Sequence, residues 1–331
     1  MQSLFPRALN ATFRLVFKVG HLKNAGEIGI CRNHGNAHLS QLDGTAMSRI
    51  RMDRLATVCF FEPLRRGSRP FRCEVPVLMY HSIGDEDENH LKPYFRTATR
   101  PDIFAEQMQL LHDAGYSTWG ISEAVEGVRR NSPAMSKAVV ITFDDGFRNF
   151  YSEAFPILRR FGFTATMYLP TDHIGKTTRQ FKGKDCLSWS EIRVLQQQGI
   201  SFGSHTMSHP KLYGLPWENI EKEVSLSKLI IEQELGASVT SFAYPYAFPQ
   251  ADRPFKTALR RLLDQTGYTH GVCTTIGTCR ASTDPFFLSR LPINSCDDAS
   301  LFRAKLLGGY DWLAAPQYLA KIAKQWMRSA D

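Results

Sequence analysis

Ala138-Val139-Val140-Ile141-Thr142-Phe143 runs straight into Asp144-Asp145-Gly146, with no polar spacer between the two carboxylates and the residues before them. The β-branched run suits a strand covered on both faces, as strands of a parallel sheet are. The segments around it repeat the pattern. Upstream, Val75–Tyr80 (VPVLMY) is a second short buried strand, while Asp102–Ala114 and Ser122–Arg130 carry apolar residues at helical spacing, the first stopping at Gly115. Downstream, helical stretches at Phe150–Phe161, Trp189–Gln198 and Trp217–Leu235 lie among strand-like runs at Phe163–Leu169, Ile200–Gly203, Thr240–Tyr244, Gly271–Thr275 and Phe286–Ile293. This order implies an α/β fold with a parallel sheet. About seven βα units over residues 73–331 suggest a closed or nearly closed (β/α) barrel, whose typical size is about 250 residues. In such a barrel the chemistry sits where strands end and loops begin.

The formal charge of +8 invites a nucleic-acid reading, but its location argues otherwise. Residues 1–72 hold 12 of the 40 Lys and Arg and 4 of the 32 Asp and Glu, so the remainder of the chain is balanced. A nucleic-acid role for residues 73–331 therefore lacks electrostatic support. Residues 1–72 show no sustained period of 2 or 3.6, and they read as a basic, poorly ordered extension in which Met47 or Met52 could start translation. Arg14 and Lys18 interrupt the first apolar stretch, no signal-type apolar core is followed by a cleavage site, and no run approaches the roughly 18 apolar residues of a membrane span. The default expectation is a cytoplasmic protein without a membrane span. Seven scattered cysteines with no CxxC pair read as reduced, mostly buried thiols.

Two groups of residues carry chemistry. Asp144 and Asp145 follow the Ala138–Phe143 strand, and adjacent carboxylates repel unless something compensates them. Ser204-His205-Thr206-Met207-Ser208-His209 follows the strand-like Ile200–Gly203, and two histidines four apart fall on one face of a helical turn. Alone, the first pair reads equally as a polar turn and the second as surface histidines. Together they place one aspartate and two histidines at strand ends on one barrel face, a three-ligand set that leaves a metal position open for water.

TFDDG, SHTxxH and FAYPY in this order resemble the polysaccharide deacetylase family, carbohydrate esterase family 4, over about residues 75–310. The opening VPVLMYHSI is similar to the subgroup acting on poly-N-acetylglucosamine exopolysaccharides. The resemblance implies a distorted (β/α) barrel and one divalent metal ion, zinc first, with nickel, cobalt or iron as alternatives. It also implies Asp145, His205 and His209 as metal ligands and Asp144 as general base. Tyr246 would offer its backbone N–H to the oxyanion, or else pack in the wall. Where many members have an arginine bracing the catalytic carboxylate, this chain has Ala243; Arg290, within FFLSRLPI, is the candidate substitute, with pairing to another acid as its alternative. The late Leu-x-His motif that supplies the general acid is missing. His81, closing the first strand, is the candidate acid, followed by His270. Trp189 and Trp312 read as core residues before sugar-stacking ones.

The expected activity is removal of N-acetyl groups from an N-acetylated polysaccharide. The rival enzyme is an O-acetyl glycan esterase, whose alkoxide leaving group depends less on an acid. A catalytically weak carbohydrate-binding relative is the rival from another class, and the presence of Asp144, Asp145, His205 and His209 speaks against it.

Overall fold

The computed structural model describes residues 51–67 and 73–329. Seven strands form the barrel: β1 (Val77–Tyr80), β2 (Ala138–Phe143), β3 (Thr166–Leu169), β4 (Ser201–Ser204), β5 (Ser241–Ala243), β6 (His270–Ile276) and β7 (Leu288–Pro292). Each pairs in parallel with the next, and β7 returns to β1 through Leu291↔Leu78, so the closed sheet follows chain order. The closure is uneven. β3 and β4 share four register pairs, β4 and β5 only Ser204↔Phe242, and the β6–β7 register shifts between Val272 and Ile276.

Strand periodicity decides what faces inward. Val77, Ala138, Val140, Tyr168, Ala243, Val272 and Leu288 share the inner apolar cluster, while Leu78, Tyr80, Val139, Ile141, Phe143, Met167 and Leu169 pack outward against the helices. Continuing this alternation along β2 puts Thr142 and Asp144 inside the barrel. Gly203 makes room there: a Cβ would lie 2.5 Å from the Tyr168 ring. Helix Trp217–Leu235, the longest described, ends on Gly236 in the left-handed conformation (φ 62°), as a C-terminal glycine favours.

The N-terminal boundary expected at residue 73 is corrected to residue 51. Arg51–Asp331 form one compact unit, and Met52–Ala56, Thr57–Phe61 and Glu62–Gly67 follow one another as consecutive helical segments. Polar anchors account for this. Arg51 Nη1 donates to Asp297 Oδ1 (3.0 Å) and to the Cys296 carbonyl (2.8 Å), and Tyr310 donates to Asp53 Oδ2 (2.7 Å). Trp312 donates to Thr57 Oγ1 (2.9 Å) and stacks on Phe61 at 4.7 Å. Trp189 is buried in the outer core, so both tryptophans pack rather than line a site. The poor order expected for residues 1–50 and 68–72 lies outside the described residues. Among the described residues, no helix is long and apolar enough to cross a membrane, and six cysteines are free thiols.

Removing the Arg51 anchor should loosen the structure. Arg51→Ala leaves Asp297 Oδ1 without its cation, with Oδ2 still held by Lys305 Nζ (2.7 Å) and the Asn294 N–H (3.2 Å), and should lower stability by about 2 kcal/mol, the scale of hydrogen bonds to a charged group. Scanning calorimetry should show this as a Tm drop of roughly 4–8 °C; an unchanged Tm would mean that the segment does not brace the barrel.

Candidate active site

Neighbouring strand residues point to opposite faces, so two adjacent aspartates converge only if the backbone breaks. Asp144 keeps the strand's inward parity, its N–H donating to the Tyr80 carbonyl (3.0 Å). Asp145 takes φ 73°, which reverses the chain and brings its carboxylate back over the barrel mouth. Gly146 follows at φ 64°, where a Cβ would press on Ile174 and Leu169 at 3.1 and 3.2 Å. A left-handed aspartate is tolerated better than most residues there, at a strain on the order of 1 kcal/mol.

The helical turn expected for the histidine pair is not what brings the two rings together. Residues 205–209 form an irregular loop in which Thr206 (φ 70°) and His209 (φ 57°) are both left-handed. Helix Trp217–Leu235 holds this loop through Glu223, whose carboxylate accepts from the Met207 N–H (2.8 Å), the Ser208 N–H (3.0 Å) and the Ser208 hydroxyl (2.6 Å). These bonds satisfy the loop's backbone donors, and a helical turn would not present them together.

The loop sets Asp145, His205 and His209 in a buried group whose ligand atoms lie within 4.8 Å of one another. Asp145 Oδ1 is 3.2 Å from His209 Nε2 and 3.7 Å from His205 Nε2, and it has no hydrogen-bond donor among the described residues. His205 Nδ1 lies 2.8 Å from the Ala243 carbonyl. A carbonyl only accepts, so Nδ1 carries the proton and Nε2 presents its lone pair to the site. Burial lowers the His205 pKa to about 4 despite the neighbouring Asp144, keeping the ring neutral as a ligand must be. One carboxylate oxygen and two imidazole nitrogens at this spacing fit a divalent ion with bonds of about 2 Å.

Beside this group, Arg290 reaches across the barrel interior from β7. Its Nη1 and Nη2 donate to Asp144 Oδ1 and Oδ2, both at 2.7 Å, and its Nε donates to the Cys273 carbonyl (3.3 Å). Burial pushes the Asp144 carboxyl up, but the Arg290 charge outweighs it and holds the pKa at about 2. Burial likewise acts upward on Asp145, yet His209, His81 and Lys182 together hold it well below the usual carboxylate range. His81 Nε2 lies 3.9 Å from Asp144 Oδ2, and burial lowers its pKa more than Asp144 raises it. Tyr246 (φ 57°) stands half-exposed at the rim with its ring 4.7 Å from that of His209. His270 is elsewhere: it starts β6 at the opposite barrel end, its Nδ1 near Ser122 Oγ (3.2 Å) and Thr269 Oγ1 (2.8 Å).

Lys182 was not anticipated. It sits at the tip of a short hairpin, Gln180–Phe181 paired with Lys184–Asp185, and its Nζ donates to Asp145 Oδ2 (2.9 Å). Lys182 and Gly183 both have positive φ, the form of a tight two-residue turn. The Lys-Gly dipeptide between Phe181 and Lys184 was the available signal, although asparagine or aspartate is the usual first residue there.

Residues 131–271 match the sequence pattern of the polysaccharide deacetylase family. YxkH of Bacillus subtilis (strain 168), which carries the polysaccharide deacetylase name, is 29% identical over 231 residues, 70% of this chain and 75% of that protein. The poly-beta-1,6-N-acetyl-D-glucosamine N-deacetylase of Escherichia coli (strain K12) is 29% identical over 139 residues, which is 39% of this chain but 20% of that enzyme. The structure of the Streptococcus pyogenes deacetylase PplD in complex with acetate superposes with a TM-score of 0.61 at 24% identity, over 70% of this chain and 98% of that one, a likeness of fold.

Two outcomes follow from this geometry. Glu223→Gln should weaken divalent-ion binding about tenfold, the scale of a lost supporting contact, with the circular dichroism spectrum unchanged; equal affinity by competition against a chelator would show that Glu223 does not position His209. Arg290→Gln leaves a buried carboxylate without its fork and should cost about 3–5 kcal/mol. In the parent, Asp144 titrates below its unfolded value, so its stabilisation is present above about pH 4 and fades as the pH falls towards 2. Without Arg290 the largest influence opposing burial is gone, and an NMR titration should find the Asp144 carboxyl above its parent value; an unchanged titration would contradict that account.

Proposed function

Since the chain belongs to the polysaccharide deacetylase family, we propose that it is a metal-dependent hydrolase removing N-acetyl groups from a polysaccharide that contains N-acetylhexosamine. The observation that carries this reading is the Asp145, His205 and His209 group within 4.8 Å, set against an aspartate that Arg290 keeps ionised. These three residues would hold the ion, with zinc the first candidate for one oxygen and two imidazole nitrogens. A divalent ion bound there polarises the amide carbonyl and acidifies water. Asp144, ionised and held by two hydrogen bonds from Arg290, takes the attacking water's proton. The Tyr246 backbone N–H, which donates to no described residue, is available to the developing oxyanion at the rim. His81 delivers a proton to the departing nitrogen. Burial keeps His81 neutral at rest, so the proton it delivers is one it receives during the reaction, passed on from Asp144 Oδ2 at 3.9 Å.

The resting neutrality of His81 also favours a second reading, an O-acetyl esterase, because an alkoxide leaves without protonation. Metal-loaded protein incubated with poly-β-1,6-N-acetylglucosamine, chitin oligomers and acetylated xylan separates the two. Acetate together with free amine from the first two supports the deacetylase, acetate from xylan alone supports the esterase, and no acetate from any overturns both. His81→Ala should lower turnover on the amide by about 10²–10⁴, the usual worth of a general acid. It should have less effect on an activated ester and leave metal content as it was. Loss of the metal, or equal rates on both substrates, would remove His81 from the role.

A further inference from the structure

Next to the metal-binding group the barrel mouth opens into a second space. A groove of about 650 Å³ runs from His81 and Tyr246 towards the C-terminal helix Ala314–Ser329. Its volume lies within the roughly 300–1,000 Å³ of small-molecule sites and far exceeds what an acetyl methyl needs. The walls are largely apolar, from Met79, Phe95, Ile276, Pro292, Ile293 and Leu313. A sugar ring needs hydrogen-bond partners around its edge, and the neutral polar side chains here are already engaged: Thr97 Oγ1 donates to Glu88, Thr274 Oγ1 to the Tyr246 carbonyl and Gln317 Nε2 to the Thr274 carbonyl. Phe95, on the same wall, is 62% exposed.

The polar residues of the groove are as informative as the apolar ones. Arg96 and Lys321 both line it, and neither forms an ion pair among the described residues. Arg96 donates to the Leu91 carbonyl (3.2 Å) and approaches Cys296 Sγ (3.5 Å), while Lys321 donates to Gln250 Oε1 (3.1 Å). Two cations without carboxylate partners on a largely apolar wall suit an anion that is itself attached to an apolar body. The groove begins at His81, the residue that faces the departing amine in the reading above, so its occupant belongs to the sugar side of the substrate and not to the acyl group.

We propose that this groove binds the phosphate and aliphatic chain of a lipid-phosphate-linked amino sugar, so that the N-acetylhexosamine saccharide reaches the metal site while joined to a lipid phosphate. The proposal rests on the hydrolase reading for what happens at the amide, and on the groove alone for what is bound. Arg96 and Lys321 hold the phosphate, and the chain lies along Ile276, Ile293 and Leu313 towards Ala320.

The test separates binding from turnover. Glucosamine 1-(decyl phosphate), the product form, is titrated calorimetrically into the metal-loaded full chain, beside decyl β-glucosaminide and chitosan disaccharide. The decyl phosphate compound should bind at least tenfold more tightly than the disaccharide, given roughly fourfold per buried methylene before ordering losses, and about tenfold more tightly than the decyl glucosaminide, the scale of hydrogen bonds to a charged group. Ala320→Trp, an exposed position where the new ring fills the groove, should abolish the advantage of the chain. Arg96→Gln combined with Lys321→Gln should abolish the advantage of the phosphate over the neutral glycoside. Equal binding of all three ligands, or a chain advantage that survives Ala320→Trp, overturns the proposal. Acetate release from the N-acetylated forms of the same compounds is measured in parallel. If the chain and phosphate strengthen binding as expected but no N-acetylated form is hydrolysed, the hydrolase reading fails and the groove assignment stands; hydrolysis of chitin oligomers without a chain advantage gives the reverse.

Discussion

Inside the barrel, a guanidinium and a carboxylate meet with no water-facing surface to share. Arg290 is fully buried, and its fork closes on both oxygens of Asp144 across the bore. Neither charge is tolerable there alone, because removing an ion from water carries a penalty of several kcal/mol that only a well-made pair offsets. The surroundings are shaped to keep it well made. Thr142 Oγ1 accepts a third hydrogen bond from the guanidinium (3.2 Å), the Cys273 carbonyl accepts from Nε, and the Tyr168 ring lies under the cation at 5.8 Å. Tyr168 has that place because Gly203 on the neighbouring strand has no side chain. Strand parity, one glycine and one ion pair together fix where Asp144 stands.

Around that fixed point the backbone departs from its easy conformations. Among the described residues, Asp145, Thr206, His209 and Tyr246 are four of the six non-glycine residues with positive φ, and all four lie at the barrel mouth. Lys182, a fifth, ends its side chain on Asp145. Each left-handed residue aims a side chain or a backbone N–H where regular structure would not. The strain, on the order of 1 kcal/mol at each position, is held in place by bonds such as those of Glu223 to residues 207 and 208. Concentration of strain at one end of the barrel is itself a mark of a working site.

Much of this was legible in the chain. Ala138–Phe143 and Trp217–Leu235 have the same bounds in sequence and structure, because a β-branched run and an uninterrupted helical pattern stopped by Gly236 are locally sufficient. The convergence of aspartates and histidines was legible too, since strand ends of a barrel share a face. How the histidines converge was not: i and i+4 spacing suggests a helical turn, and Glu223, which imposes a loop instead, belongs to another element. Arg290 stood out as a charge in an apolar strand, but its partner lies 146 positions away, where no local pattern reaches. The segment from residue 51 to 67 was misjudged for a similar reason. Its order comes from Asp297, Tyr310 and Trp312, at the far end of the chain.

The uneven closure of the barrel has a mechanical meaning. β4 and β5 are joined by a single register pair, and the bond from His205 Nδ1 to the Ala243 carbonyl crosses the same gap. A barrel under load or thermal agitation parts first along its thinnest seam, and here one of the stitches is a side chain whose other nitrogen faces the ligand group. Occupancy of the mouth and integrity of the wall are therefore not independent. Whatever fixes the imidazole from above also clamps the two strands below it, and slow backbone amide exchange on either side of that seam would rise and fall with what the mouth contains.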